Sequence, residues 1–191
     1  MNTPNKLTIV RILLAPVFML LLLWPFPGHF FAAFAVFAIA SLTDMLDGKL
    51  ARRNNQITDF GKFLDPIADK MLTTAAFLGF IQLDIGYGVV WIALLVLVRE
   101  FLVSSLRMII AGDGRVVAAD IWGKAKTVCQ MAAILFALFF EGVMGLIPAD
   151  SPWCVPMVAF YNVLLWGSAV LTILSGANYL IKNKSYINSR K

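Results

Sequence analysis

The sequence predicts an all-α integral membrane protein with six transmembrane helices. Of its 191 residues, 60% are hydrophobic and only 14% are charged, which is far from the composition of an average soluble domain. The apolar residues fall into six stretches of about 20 residues, the length that crosses a bilayer as a helix. These stretches cover residues 7–24, 29–50, 61–83, 87–110, 121–140 and 156–181. We therefore predict six spans within a single membrane domain comprising residues 1–191.

The distribution of lysine and arginine predicts the orientation of these spans. The basic residues lie at the start of the first span, around the second-to-third and fourth-to-fifth connections, and in the tail after the sixth span. Residues 25–28, 84–86 and 141–155 contain neither lysine nor arginine. Since basic connections stay on the cytoplasmic side, both termini should be cytoplasmic. The net charge of +5 is explained by this asymmetry, and without a basic run with interleaved aromatics we expect no nucleic-acid partner.

Local signals define the first hairpin. Thr3 followed by Pro4 is typical of a helix start, with a capping residue before a first-turn proline. The sequence Pro-Phe-Pro-Gly at residues 25–28 predicts a tight turn, so the first two spans should form an antiparallel hairpin. The first apolar stretch is similar in length to a signal peptide, but no small-residue cleavage site follows it. We therefore interpret it as a retained first span.

The most informative stretch runs from residue 44 to residue 69, where four aspartates occur at helical spacings. Asp44 and Asp47 are three apart near the end of the second span, and Asp65 and Asp69 are four apart near the start of the third. Each pair therefore lies on one face of its helix. In the predicted topology both pairs face the cytoplasm at similar depth, so we expect an active-site cavity on that side. Ionisable residues within spans are costly and are treated as functional by default.

Four converging carboxylates favour bound divalent cations. Without neutralisation they would repel one another or take up protons. Mg²⁺ prefers carboxylate and phosphate oxygens, and two such ions can stabilise a leaving phosphate. No histidine and cysteine cluster competes for a softer metal, because His29 is the only histidine. The residues that continue the two acidic stripes are small ones at helical spacing, Gly48, Ala51 and Gly61, and Arg52 stands beside them as a phosphate partner. A small-residue packing seam explains the glycines but not the acids.

These residues form a pattern that resembles the signature of the CDP-alcohol phosphatidyltransferase family. The pattern is D-x2-D-G-x2-A-R-x8-G-x3-D-x3-D, and all eight fixed positions match, at Asp44, Asp47, Gly48, Ala51, Arg52, Gly61, Asp65 and Asp69. The resemblance implies transfer of a phosphatidyl group from CDP-diacylglycerol to an alcohol, with release of CMP. It further implies dependence on Mg²⁺ or Mn²⁺, two ions per site, and a homodimer.

The same resemblance implies roles for the individual signature residues. Asp44, Asp47, Asp65 and Asp69 would be the metal ligands, and Asp69 would also be the base that activates the acceptor hydroxyl. The CDP moiety would be bound by Asp47, Gly48, Ala51, Arg52 and Gly61. The lipid tails of the substrate would remain among membrane lipids, in the cell membrane of a bacterium.

Other segments resemble the branch of this family that makes phosphatidylglycerophosphate from sn-glycerol 3-phosphate. They are Pro-Asn-Lys-Leu-Thr-Ile-Val-Arg at 4–11, Arg-Glu-Phe at 99–101 and Gly-Lys-Ala-Lys-Thr-Val-Cys-Gln at 123–130. Cationic side chains in or near these segments could clamp an acceptor phosphate, and the candidates are Arg11, Arg99, Arg107, Lys124 and Lys126. The alternative is that these residues snorkel and set the topology, and that Arg99 and Glu100 form a structural ion pair.

Three interpretations of function follow from these patterns. The first is synthesis of phosphatidylglycerophosphate. The second keeps the family but changes the acceptor, either to phosphatidylglycerol, as in a cardiolipin synthase of this type, or to a polyol phosphate. The third is a cation transporter, which would also place carboxylates in spans. Against the transporter, the acids cluster at one end of the spans, and the other halves are rich in Leu, Phe, Val and Ala.

Overall fold

A computed structural model describes residues 3–54, 59–112 and 121–184. Within these ranges the side chains of residues 3–7, 44–54, 59–66, 69 and 111–112 are not described. The described residues contain six α-helices and no β-strand. The helices are α1 Thr3–Leu23, α2 His29–Asn54, α3 Asp59–Gln82, α4 Val89–Gly112, α5 Ile121–Met144 and α6 Cys154–Lys182. The all-helical class predicted from the sequence is therefore confirmed.

Two helices continue about one turn past the predicted ends of their apolar stretches. Helix α2 continues to Asn54 instead of ending near residue 50, and α5 continues to Met144 instead of ending near residue 140. Glu141 thus belongs to α5 and not to the following connection, where the prediction was wrong. Its polarity did not end the helix because the Tyr161 hydroxyl of α6 donates a hydrogen bond to Glu141 Oε1 at 2.8 Å.

The six helices pack in a closed ring. Helix α1 lies between α2 and α3, α2 packs on α5, α5 on α6, α6 on α4, and α4 on α3. The described parts of α2 and α3 contact α1 more extensively than they contact each other. Consecutive helices alternate in direction, so one end of the bundle holds the end of α2 and the start of α3. We call this the signature end, and the opposite end the distal end.

The core is made of aromatic and aliphatic side chains from all six helices. Phe18 of α1 meets Phe37 of α2 with ring centroids 5.6 Å apart. The ring of Phe31 covers Gly142, where an added Cβ would lie 2.9 Å from Phe31 Cζ, so α2 and α5 approach closely. Because lipid tails are as apolar as leucine, such close packing, rather than exclusion of water, holds membrane helices together. Large apolar side chains are exposed around the outside, including Leu20, Ile39, Trp91, Val98, Phe101, Val163 and Val170.

Three of the helices are long and apolar enough to cross a membrane, judged over the described residues. They are Val89–Ile110, Ile121–Met144 and Cys154–Lys182, and two shorter apolar segments cover Thr8–Leu23 and His29–Thr43. These segments are those of a multi-pass membrane protein. The exact number of spans and the side on which the termini lie remain predictions.

The distal turn between α3 and α4 is held by α6. Asp84, Gly86 and Gly88 all have positive φ values, 55°, 80° and 66°. Asn162 Oδ1 accepts a hydrogen bond from the Tyr87 backbone N–H at 2.6 Å, and the Trp166 indole N–H donates to the Tyr87 carbonyl at 3.0 Å. We refer to Tyr87, Asn162 and Trp166 as the distal clamp. It satisfies backbone groups that a tight turn would otherwise leave without partners.

The first hairpin turn is closed in a similar way. Gly28 has a φ of +81°, as expected for the glycine that ends a Pro-Phe-Pro-Gly turn. His29, the first residue of α2, uses its ring Nδ1 to donate a hydrogen bond to the Leu22 carbonyl at 3.0 Å. The only histidine of the chain is thus engaged at the distal end, as expected from its position at a helix start.

Candidate active site

The four signature aspartates lie on α2 and α3 at the signature end. Asp44 and Asp47 are in the last three turns of α2, and Asp65 and Asp69 are in the first three turns of α3. Their helical backbone keeps the spacings that place each pair on one face. Their side chains, like those of Gly48, Ala51, Arg52 and Gly61, lie outside the described residues. The predicted roles of all eight therefore remain predictions.

The donor set of this stretch suits hard divalent cations. It consists of carboxylates, which bind Mg²⁺ and Mn²⁺ through oxygen. Among the residues whose side chains are described, no cluster of three or more histidine, cysteine, aspartate or glutamate side chains could hold a metal ion. The two cysteines, Cys129 and Cys154, are both free thiols. The acidic signature thus remains the candidate metal site.

Arg99, near the middle of α4, reaches the part of α6 that lies toward the signature end. Its Nη2 donates a hydrogen bond to Ser175 Oγ at 2.6 Å, and its Nη1 donates to Glu100 Oε1 at 3.2 Å. Gly176 leaves room for this side chain, and Gly123 lies next to it. A Cβ added to Gly176 would lie 3.0 Å from Arg99 Cγ, and one added to Gly123 would lie 3.7 Å from Arg99 Nη2. Arg99 Nε is buried and has no hydrogen-bond partner in the described part of the chain.

Glu100 connects α4 to α5 and lies close to α3. The Lys126 ammonium donates a hydrogen bond to Glu100 Oε1, so the two side chains form an ion pair between α4 and α5. Lys70 of α3 is close enough to Glu100 to interact with it electrostatically, and Lys70 directly follows Asp69 in the sequence. Arg99, Glu100, Lys126 and Ser175 therefore form a continuous polar network, which we call the charged cluster. Lys70 is thus adjacent to the acidic signature in sequence and within electrostatic range of the charged cluster.

The remaining candidates for binding an acceptor phosphate divide by exposure. Arg11 is buried, with 5% of its surface exposed, and lies on α1 near buried Thr8. Arg107 and Lys124 are exposed, which favours the interpretation that they set the topology. Helical spacing predicts a polar stripe on α5 that consists of Gly123, Lys126, Thr127 and Gln130, and this stripe is only partly internal. Gln130 is buried with Lys126, whereas Thr127 is exposed and its hydroxyl donates to the Gly123 carbonyl.

Sequence reasoning missed the contribution of α6. Four of its buried residues follow one helical face at spacings of four, three and four, namely Ser168, Thr172, Ser175 and Tyr179. Ser168 and Thr172 donate to carbonyls of their own helix, whereas Ser175 accepts from Arg99. The Tyr179 hydroxyl is buried without a hydrogen-bond partner among the described residues. The spacing of these polar residues within an apolar helix was the signal that could have revealed this face.

Comparison with known proteins decides the family. The family model for CDP-alcohol phosphatidyltransferase matches residues 1–174. The chain belongs to the CDP-alcohol phosphatidyltransferase family. The match extends from α1 into α6, so the charged cluster lies almost entirely within it, and only Ser175 falls just beyond.

Individual relatives extend the comparison. Three bacterial proteins named CDP-diacylglycerol–glycerol-3-phosphate 3-phosphatidyltransferase are similar to the chain over most of its length. The Bacillus subtilis protein is 39% identical over an alignment of 194 residues that covers 95% of each chain. The Pseudomonas fluorescens protein is 42% identical over 186 residues, covering 94% of this chain and 89% of the relative. The Haemophilus influenzae protein is 35% identical over 182 residues, covering 94% and 91%. Membership in a transferase family opposes the transporter interpretation.

Proposed function

We propose that this member of the family transfers the phosphatidyl group of CDP-diacylglycerol to sn-glycerol 3-phosphate, giving phosphatidylglycerophosphate and CMP. The observation that carries the proposal is similarity, over 95% of both chains, to a Bacillus subtilis protein named for this reaction. In the reaction, a hydroxyl oxygen of the acceptor bonds to the phosphatidyl phosphorus. The bond from that phosphorus to the CMP phosphate breaks, and CMP leaves with the electron pair. This step belongs to the synthesis of phosphatidylglycerol and cardiolipin.

The acidic signature supplies the proposed reaction centre. Asp69 would accept the proton of the attacking hydroxyl, since a carboxylate within hydrogen-bond reach can act as a general base. The nucleotide would be held by Asp47, Gly48, Ala51, Arg52 and Gly61. Asp44, Asp47, Asp65 and Asp69 would hold two divalent cations, Mg²⁺ or Mn²⁺. When bound, such ions supply charge neutralisation of the diphosphate and of the departing CMP phosphate.

The charged cluster is the proposed binding region for the acceptor phosphate. Arg99 and Lys126 are cationic, buried or nearly so, and lie at the signature end on helices that pack next to α3 and α2. Arg99 Nε is a buried donor without a hydrogen-bond partner among the described residues, and a buried donor of this kind is costly unless a ligand satisfies it. A phosphate oxygen is a fitting partner, because guanidinium binds phosphate through several N–H groups. This supports an anionic acceptor over a neutral alcohol.

The surroundings of the reaction follow from its substrates. The lipid tails of CDP-diacylglycerol must remain in hydrocarbon while the nucleotide reaches the signature, so a lateral opening between helices toward membrane lipids is needed. We place the protein in the bacterial cell membrane. Both termini lie in the cytoplasm, and the signature end faces the cytoplasm. A homodimer is expected for the family. Size measurement of the purified protein by light scattering, corrected for detergent, tests the dimer.

An acceptor panel tests the reaction. Purified protein in detergent micelles with CDP-diacylglycerol and Mg²⁺ or Mn²⁺ should release CMP when sn-glycerol 3-phosphate is added, and mass spectrometry should detect phosphatidylglycerophosphate. Phosphatidylglycerol, a polyol phosphate and glycerol are the matched acceptors. Faster CMP release with one of these than with sn-glycerol 3-phosphate would assign the chain to another acceptor. No CMP release with any of them would refute the transferase activity.

Accessibility labelling tests the orientation. In a variant lacking Cys129 and Cys154, single cysteines would replace Pro27 at the distal end and Lys184 after α6. A membrane-impermeant thiol reagent applied to intact cells should label position 27 and leave position 184 unlabelled until the membrane is opened. Labelling of both positions from outside the cell would contradict the proposed orientation and the cytoplasmic location of the signature.

A further inference from the structure

Glu100 is placed to orient cations that come from three helices. It accepts hydrogen bonds from Lys126 of α5 and from Arg99 of its own helix, and it lies within electrostatic range of Lys70 of α3. Arg99 is in turn bound to Ser175 of α6. Hydrogen bonds thus connect this single carboxylate to α5 directly and to α6 through Arg99, so that three of the six helices meet at it. Glu100 lies outside the eight-residue family signature of residues 44–69.

The geometry separates the task of Glu100 from that of Arg99 and Lys126. A carboxylate repels an anionic acceptor, so Glu100 cannot itself bind the acceptor phosphate. It can fix the ammonium of Lys126, which would otherwise sample several rotamers along a four-carbon chain. It also shares with Ser175 the task of setting the guanidinium plane of Arg99, because each accepts from a different Nη atom. With both Nη atoms engaged, the buried Nε is left for another partner.

We propose that Glu100 is a positioning residue for the acceptor, holding Lys126 and Arg99 in the orientation that binds its phosphate. The proposal rests on the proposed function in one respect, namely that the acceptor carries a phosphate. It predicts that loss of the carboxylate weakens binding of the acceptor without weakening binding of CDP-diacylglycerol. A purely structural ion pair predicts instead that stability falls while both KM values stay unchanged.

The deciding substitution is Glu100→Gln, which keeps the shape of the side chain and removes its charge. The chain offers a matched control in Glu141→Gln. Like Glu100, Glu141 is a partly buried glutamate within a membrane helix, and it accepts a hydrogen bond from another helix, in this case from Tyr161 of α6. It lies at the distal end, away from the charged cluster. Glu100→Asp is the conservative variant, because it retains the charge on a shorter side chain.

We expect Glu100→Gln to raise the KM for sn-glycerol 3-phosphate about tenfold, which corresponds to about 1.4 kcal/mol of lost binding. The KM for CDP-diacylglycerol should change less than twofold, and Glu100→Asp should restore part of the acceptor affinity. Glu141→Gln should leave both KM values within twofold of those of the unmodified protein. Thermal unfolding in detergent should be measured on all three variants, so that a stability change is not mistaken for a kinetic one.

Direct binding separates failure of this inference from failure of the proposed function. Calorimetric titration of the unmodified protein and of Glu100→Gln with sn-glycerol 3-phosphate needs no turnover, and the variant should bind about tenfold more weakly. If the unmodified protein releases no CMP with this acceptor, the proposed function is wrong, and the binding difference still decides the role of Glu100. Equal affinity of the two proteins, absence of measurable binding by the unmodified protein, or equal rises in both KM values would overturn the inference.

Discussion

The two ends of the bundle both contain polar contacts between helices, but the contacts differ in kind. At the distal end, Asn162 and Trp166 bind the backbone of Tyr87, and Tyr161 binds Glu141. Apart from Glu141 these groups are neutral, and two of the three contacts close a turn. At the signature end, the charged cluster joins side chains that carry full charges. Holding helices together within a membrane does not require full charges, so we interpret the charged cluster as a sign that the signature end is functional.

The difference also lies in what remains unsatisfied. The Asn162 side chain uses its oxygen on Tyr87 and its amide nitrogen on the Val158 carbonyl. In contrast, Arg99 Nε and the Tyr179 hydroxyl of α6, both at the signature end, are buried without a hydrogen-bond partner among the described residues. Buried polar groups are normally paired. We therefore interpret the unpaired donors at the signature end as groups that bind a ligand, and the paired side chain of Asn162 as one that stabilises the fold.

The largest difference between the two ends is expected when aspartate is replaced by asparagine near each end of α3. We expect Asp69→Asn at the signature end to lower turnover about 10³-fold, within the range attributed to a general base. Binding of CDP-diacylglycerol should largely persist, whereas Asp44→Asn or Asp65→Asn should weaken it as well. Asp84→Asn is the matched control just after the distal end of α3. Asp84 is exposed with a φ of 55°, a conformation that asparagine also tolerates.

Turnover and binding must be measured together to interpret Asp69. Calorimetric titration with CDP-diacylglycerol in the presence of Mg²⁺ gives binding, and CMP release gives turnover. If Asp69→Asn abolishes binding as completely as Asp44→Asn, Asp69 is chiefly a metal ligand and the proton leaves by another route. Any loss of turnover in Asp84→Asn comparable to that in Asp69→Asn would erase the distinction between the two ends.

Lys126 and Arg107 are both sequence-based candidates for binding the acceptor phosphate, but their contributions to acceptor binding should differ. Lys126 is buried in the charged cluster, whereas Arg107 is exposed on α4. We expect Lys126→Ala to raise the KM for sn-glycerol 3-phosphate at least tenfold, because a hydrogen bond from the ammonium to the acceptor phosphate would contribute about 1.5–3 kcal/mol to binding. Arg107→Ala should change it less than threefold, since exposed charges contribute little. Steady-state kinetics with each substrate varied in turn provides the measurement. A larger effect for Arg107 would mean that exposure does not identify the acceptor site.

At the distal end we expect loss of stability without loss of affinity. Asn162→Ala removes the acceptor of the Tyr87 N–H and should lower the free energy of unfolding by about 0.5–1.5 kcal/mol, the usual net contribution of an intramolecular hydrogen bond. Val163→Ala is the control on the same turn of α6, because Val163 is 71% exposed. Unfolding in detergent followed by circular dichroism gives the stability, and both KM values should remain unchanged. A raised acceptor KM for Asn162→Ala would show that the distal clamp also shapes the active site.

Part of this arrangement could be predicted from the sequence and part could not. The helices followed from the lengths of the apolar stretches, and the acidic signature from spacings that depend only on helix geometry. The order of helices in the ring could not be predicted, because α1 and α2 are apolar around most of their circumference and carry no strong facial pattern. The contact between Arg99 and Ser175, 76 residues apart, depends on that order and was therefore missed.

The ends of helices and the burial of individual side chains could also not be predicted fully from the sequence. The fifth apolar stretch predicts a span that ends near residue 140, but α5 continues to Met144, and the hydrogen bond from Tyr161 allows the ionisable Glu141 to remain helical. Likewise, Gly123, Lys126, Thr127 and Gln130 share a helical stripe by spacing, yet Thr127 is exposed while Lys126 and Gln130 are buried. Spacing alone locates a stripe only to within about one residue position, and neighbouring helices then determine which members become buried.

The smallest expected effect probes how closely α6 fits around Arg99. Gly176→Ala would place a Cβ 3.0 Å from Arg99 Cγ, a separation at which the arginine stem must shift by a few tenths of an ångström. We expect the shift to disturb the hydrogen bond to Ser175 and to raise the KM for sn-glycerol 3-phosphate about threefold. Gly167→Ala is the control on the same helix, because its Cβ would meet only Cys129 Sγ at 3.9 Å. Both substitutions improve helix propensity by about 1 kcal/mol, so a difference between them reports contact with Arg99. Equal KM values for the two variants would show that the position of the Arg99 stem does not control acceptor binding.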